Sequence, residues 1–182
     1  MITLAVLAAT SNGLTVHSTA NALVVTLPKG TVTLNGSSTL VRTVSTSGAT
    51  VTTIDHWTAP SYSLTTAFNG RSDTFSMTDV DITATTTVTN GVLASTTYQG
   101  TMTLSANLPG TSFSVTIATL GQANYDGSGT PTEGTWSITF PFNAITLTIG
   151  AGMVTIGVDY GADGTIDQVY TFTVAALEGY AG

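Results

Sequence analysis

Met153-Val154-Thr155-Ile156-Gly157-Val158-Asp159-Tyr160, then Gly161-Ala162-Asp163-Gly164, then Thr165-Ile166-Asp167-Gln168-Val169-Tyr170-Thr171-Phe172-Thr173-Val174: this stretch decides how the chain is read. Val154, Ile156 and Val158 alternate with small or polar residues on the way in. Ile166, Tyr170, Phe172 and Val174 share one parity on the way out, with Gln168 as the polar break. A period of two means strands with one apolar face. Asp163-Gly164 supplies a residue pair that tolerates positive φ in a tight reversal. The stretch is a β-hairpin, and the rest of the chain repeats its grammar.

Strand runs follow one another with turn punctuation. Asn-Gly pairs stand at 12–13, 35–36, 69–70 and 90–91, and Asp-Gly pairs at 126–127 and 163–164. Each is a hairpin signal between β-prone runs. Pro60 separates Ala49–Trp57 from Ser61–Phe68. Trp136, Ile138 and Phe140 share a parity, as do Ile145, Leu147 and Ile149, and Phe113, Val115 and Ile117; these predict facing core strips. No helical window with caps interrupts them. The expectation is an all-β, antiparallel meander of about 12–14 strands, closed into a sandwich or flattened barrel. No linker or composition break divides residues 1–182, so they read as a single β domain.

Forty of the 182 residues are threonine, whose β-branch favours extended backbone and whose hydroxyl keeps a solvent-facing position wet without charge. Charged residues make up only 7% of the chain, and Lys29, Arg42 and Arg71 are its only lysine and arginines. With a net charge of -7 and no basic cluster, a phosphate-tracking groove has nothing to build on, which argues against nucleic acid. It argues equally against an anionic membrane surface. There is no cysteine, hence no disulfide, thiolate metal site or thiol nucleophile. Ile2–Ala9 is apolar but too short to span a bilayer and lacks a basic flank. Three basic residues leave few sites for trypsin-like proteases, which suits a secreted or cell-surface location.

The acidic turn of the C-terminal hairpin is the one motif with metal-binding spacing. Asp159, Asp163, Thr165 and Asp167 occupy positions one, five, seven and nine of a calcium loop, with Gly164 at the required glycine. Position three is Gly161 and position twelve is Tyr170, neither a carboxylate. The alternative is a hairpin loop whose aspartates cap backbone amides. The segment Val158–Asp167 resembles the Val-Asp-x-x-x-Asp-Gly-x-x-Asp hairpins of secreted bacterial β-domains. More distantly, it is similar to the calcium loops of dockerins and thrombospondin type 3 repeats. Asn124-Tyr125-Asp126-Gly127 followed by Gly134-Thr135-Trp136 fits the same bacterial group, so the likeness covers about the last sixty residues. It implies a secreted bacterial origin; Ca²⁺ is the candidate ion on the loop's spacing.

Catalytic signatures are weaker. Asp79 and Asp81, two apart on a strand, would share a face about 7 Å apart, within the window of a glycosidase acid–base pair. Asp55 and His56 are adjacent, so a strand points them to opposite faces and Asp55 cannot orient His56. His17 reads as a surface residue, and two histidines make a histidine-based zinc site a poor reading. No Gly-x-Ser-x-Gly elbow occurs. The sequence therefore points away from an enzyme.

Two non-catalytic readings remain. One is a structural protein that self-associates through its strands as a filament, matrix or surface-layer subunit. Natural sheets guard their edges with charge, lysine above all, and this chain has one lysine. Ile2, Leu4, Val6 and Leu7 belong to an N-terminal run, residues 1–9, that is apolar on both parities. It reads as a strand exchanged with a neighbour or held at an edge, with Asn12-Gly13 favouring an internal hairpin. The other reading is a recognition module for polysaccharide or a cell surface, with Trp57 and Tyr62 as the candidate contact residues and Tyr98 and Tyr125 beside them.

Overall fold

The computed structural model describes residues 1–178. The chain is an antiparallel meander: β1 (Ile2–Thr10), β2 (Gly13–Leu27), β3 (Gly30–Ser47), β4 (Thr50–Phe68), β5 (Arg71–Thr89), β6 (Val92–Leu108), β7 (Thr111–Thr119), β8 (Ala123–Tyr125), β9 (Pro131–Thr139), β10 (Asn143–Gly150), β11 (Met153–Tyr160) and β12 (Gln168–Thr173), then a short helix α1 (Val174–Glu178). All twelve strands belong to one sheet, in chain order from β1 to β12. β7 and β8 lie end to end in one row between β6 and β9. The all-β antiparallel meander is thus the fold, and its two ends are not paired to each other among the described residues.

Tight turns explain the alternation of direction. Asn69-Gly70 and Asn90-Gly91 have φ of 51° and 78°, and 53° and 77°, the double left-handed geometry that matches strand twist in a two-residue hairpin. Asn35-Gly36 does something else. β3 runs straight through it, so the hairpin that the sequence suggests there is absent. Gly36 sits at φ 141°, and a Cβ on it would lie 2.6 Å from the Tyr62 ring, so the missing side chain makes a seat for that ring. The Asn35 side-chain oxygen accepts from the Ala22 amide, where β2 carries an extra residue.

Several runs that look like separate strands are therefore halves of one. β2 to β6 are 15 to 19 residues long, so each spans about 50–60 Å. Three of their four irregularities fall on one transverse line: the bulge between Ala20 and Leu23, the extra residue at Pro60, and the extra residue at Asp79; the fourth lies at Thr87–Val88, next to the β5–β6 turn. Bulges bend and over-twist a strand, and Pro without an amide hydrogen is tolerated there. Ala20, Ala59 and Val80, all buried, mark this crease.

Register makes the sheet two-faced. Directly opposed residues share a face, so the pairs can be followed from strand to strand. On one face Val6, Val16, Leu40, Trp57 and Ile82 lead to Gly100. Beyond Thr119 the line continues through Trp136, Leu147, Ile156 and Tyr170. The residues between them face the other way. On β6 these are Gln99, Thr101, Thr103 and Ser105, against Tyr98, Met102, Leu104 and Ala106 on the apolar side. Threonine hydroxyls pair across strands on the polar face, as in Thr65–Thr74 and Thr103–Thr116.

Neither face of the long strands is sealed. β3 is half-buried over most of its length with no alternation between parities, whereas a strand packed under a second layer would alternate. The strips around Trp136 and Ile145 are side-by-side neighbours on one face, since Ile138 opposes Ile145 and Trp136 opposes Leu147. Of those strips only Ile149 is buried. The accessible surface is 10703 Å² for 18.5 kDa, against about 8,200 Å² for a compact monomer of that mass.

Candidate functional site

The centre of the apolar face lies at Gly100, where β6 meets the break between β7 and β8. Regular pairing stops at Thr101–Ala118 and resumes at Tyr98–Ala123. Thr119 bridges the gap with its hydroxyl, which accepts from the Gly100 amide at 2.7 Å and donates to the Gly100 carbonyl at 3.3 Å. A Cβ on Gly100 would stand 2.1 Å from the Asp81 carbonyl oxygen, so only glycine fits there. The result is a hollow of about 170 Å³ walled by Ile82, Tyr98, Met102, Ile117, Thr119 and Trp136. It is almost wholly apolar and opens to the face.

At the crease, the Tyr62 hydroxyl lies 2.9 Å from Ser18 Oγ and 3.2 Å from Ser38 Oγ, which are 2.8 Å from each other. Tyr62 and Trp57 are five residues apart, which in a regular strand would put them on opposite faces. The extra residue at Pro60 returns both to the apolar face, where Trp57 opposes Leu40 and Tyr62 opposes Gly36. The two candidate contact residues are thus on one side of the sheet, on opposite sides of the crease. Tyr98 and Tyr125 meet edge to face, with ring centroids 5.2 Å apart. Burial, and then the neighbouring Tyr98, push the Tyr125 phenol up from its ordinary value.

The charged groups separate by face. Arg42 grips Asp55 through Nε at 2.6 Å and Nη2 at 2.7 Å. The Asp55 hydrogen bond, and then its charge, raise the Arg42 guanidinium further. His56 turns to the other face and reaches Asp81 Oδ1 at 2.8 Å, so Asp55 and His56 do point apart. His17 bonds Thr39 and Thr19 on that same polar face. Asp79 lies in the bulge with φ 55° and is not in the ladder. The strand spacing that would set it beside Asp81 therefore does not hold.

The C-terminal loop uses its acids on its own backbone. Asp159, only 4% exposed, accepts from the amides of Asp163 and Gly164 with its two oxygens. Asp163 accepts from Thr165 N–H, and Asp167 from Tyr160 N–H. Ile166 folds back so that its side chain covers Gly157 on β11. Among the described residues no three His, Asp or Glu side chains converge as a metal-holding group. The arrangement is that of amide caps. A similar loop is built at Asp126, whose Oδ1 accepts from Ser128 Oγ and from the amides of Ser128 and Thr130. Those bonds hold the Asp126 carboxyl below its usual value.

The N-terminal run is an edge strand of its own sheet. β1 pairs antiparallel with β2 from Ile2–Ala20 to Thr10–Gly13, with a register shift at Leu7. In the single chain the internal hairpin holds it. Pairing sends Ile2, Leu4 and Val6 to the apolar face, where all three are exposed. The outer edges of β1 and of β12 carry no strand among the described residues. No helix among those residues is long and apolar enough to cross a membrane.

Sequence reasoning missed Gly36 and Gly100. A signal existed for the second, since an isolated glycine inside Tyr98–Met102 marks close backbone approach. No family model, curated protein or solved structure matches this chain.

Proposed function

We propose that this is a secreted or cell-surface structural protein that assembles with copies of itself through its β-sheet and performs no catalysis. The observation that carries the reading is the sheet itself: twelve strands with an apolar face open along its length and two edges without a partner strand among the described residues. Edges of natural monomers are guarded by charge or covered. β1 has no charged side chain, and of its residues Ile2, Leu4, Val6 and Leu7 are 60% exposed or more. Thr/Val-rich strands with so little charge are permissive for edge pairing. The test is to put lysines at Thr3 and Ala5, which lie on the polar side of β1 and leave the apolar face untouched. Electron microscopy of the parent should show extended assemblies, and T3K/A5K should show short ones. Extended assemblies of undiminished length in the variant would overturn edge pairing.

A recognition module remains the second reading, favoured by one feature. Tyr98 and Tyr125, with Leu93, Thr96, Asp126 and Gly129, line a shallow hollow where aromatic rings stand beside a carboxylate, a surface suited to polysaccharide. Its test is retention on immobilised polysaccharide, lost in Tyr125→Ala.

A further inference from the structure

We infer that the apolar face is an interface with a second copy of this chain, the two sheets stacked face to face. The inference rests on the self-assembly reading above but names a surface other than the edges.

Area is the first argument. Five rows about 50–60 Å long and six shorter ones, at about 4.8 Å spacing, present a face on the order of 2,000 Å². Burying even half of it on each copy puts the total in the range of obligate homodimers, about 2,000–5,000 Å². A monomer seldom leaves a contiguous apolar patch beyond several hundred Å² uncovered.

Charge is the second. Within the paired ladder this face carries two bases and two acids, Arg42 opposite Asp55 and Arg71 near Asp73. The chain's net -7 therefore sits elsewhere, in the loops and on the polar face. A neutral face neither attracts a charged partner nor repels its own copy.

Relief is the third. A twofold interface needs one patch that complements itself, which requires hollows and projections on the same surface. The Gly100 hollow of about 170 Å³ is large enough for one side chain. On the same face Phe75 and Phe113 stand out, 44% and 51% exposed. The polar face, with its threonine ladders, stays in water, so stacking stops at two layers about 10 Å apart.

The chain has no cysteine, so single cysteines on β6 can report each face. The probe is a maleimide at Tyr98→Cys, Met102→Cys and Leu104→Cys on the apolar side, and at Gln99→Cys, Thr101→Cys and Thr103→Cys on the polar side. It is read together with molar mass by light scattering and with far-UV circular dichroism on each variant. We expect a mass of twice 18.5 kDa or a multiple of it. Even positions should label about tenfold more slowly than odd ones, as when no more than a tenth of copies are dissociated, and the difference should vanish on dilution. A monomer would overturn the inference, whether its even positions label freely or stay covered by its own chain. Assemblies in which even and odd positions label alike would overturn it too, while leaving edge pairing standing. The T3K/A5K variant separates the two readings: with the face interface real and edge pairing wrong, the dimer survives and longer forms are unaffected.

Discussion

Replacing Gly36 with alanine tests whether that glycine is a seat for an aromatic ring rather than a turn. The added Cβ would fall 2.5 Å from the Ser61 carbonyl oxygen, 2.6 Å from Tyr62 Cδ1 and 2.8 Å from Tyr62 Cα. Two of those three atoms are backbone, so no side-chain rotation relieves the contact and β3 and β4 must separate locally. Overpacking of this kind costs about 1–3 kcal/mol. A φ of 141° is open to glycine and strained for alanine, which adds about 1–3 kcal/mol. The sum is about 4 kcal/mol. The control is Gly70→Ala in the β4–β5 turn, with φ 78° and no neighbour within 4 Å, where only the backbone term of about 1–2 kcal/mol applies. With an unfolding entropy of about 0.4 kcal/mol per degree for a chain of this length, the melting temperature should fall by about 10 °C for Gly36→Ala and about 3–4 °C for Gly70→Ala. Urea unfolding followed by fluorescence of Trp57 and Trp136 measures both. Equal losses in the two variants would refute the ring-seat reasoning.

Tyr62→Phe should cost about 1–2 kcal/mol by removing the hydroxyl that reaches the Ser18–Ser38 pair across the crease; a urea midpoint unchanged from the parent would remove that role. Asp159→Ala should destabilise in calcium-free buffer by about 2–4 kcal/mol, because two amides lose a charged acceptor, and by more than Asp163→Ala, which frees one. Adding millimolar calcium to the parent tests the metal expectation directly, since an ion bound only by the folded state raises the melting temperature and an unchanged value retires it. Asp126 titrates below its ordinary 3.8, so its loop is stabilised above the unfolded value and the gain is lost as pH falls through the folded one. The amide resonances of Ser128 and Thr130 should shift together with a midpoint under 3.8; a midpoint at or above it contradicts the capping geometry.

Most of the strands were legible because their signals are local. Asn69-Gly70 and Asn90-Gly91 read as turns and are turns. The alternation in Trp136–Ile138 and Ile145–Ile149 correctly assigns those residues to one face of each strand. What periodicity cannot say is what lies opposite that face, so strips expected to confront each other across a core proved to be neighbours in one layer. Asn35-Gly36 misled because a glycine beside an aromatic ring and a glycine in a hairpin have the same letters. Asp79 and Asp81 misled for a related reason. An inserted residue resets parity, and a bulge leaves little trace in sequence apart from clues such as Pro60. The site was legible only in its ingredients. Trp57 and Tyr62 reach the same face through that inserted residue, and the Gly100 hollow forms from six residues on four strands that no short window contains.

Every row of the sheet is hydrogen-bonded to the row made by the next stretch of chain, with no crossover anywhere from β1 to β12. That makes assembly of the fold a local affair. Each hairpin closes a loop shorter than about forty residues, so pairing demands little closure entropy beyond that of its own turn. The strands can therefore zip one after another as the polypeptide is made, with no early strand waiting for a distant mate. Growth by hairpin addition would also leave the existing rows in place, as in repeat arrays where stability is summed over neighbours. A nascent meander of this kind always has one unpaired leading edge, at the strand made last, in addition to the outer edge of β1 that stays open from the first hairpin onward.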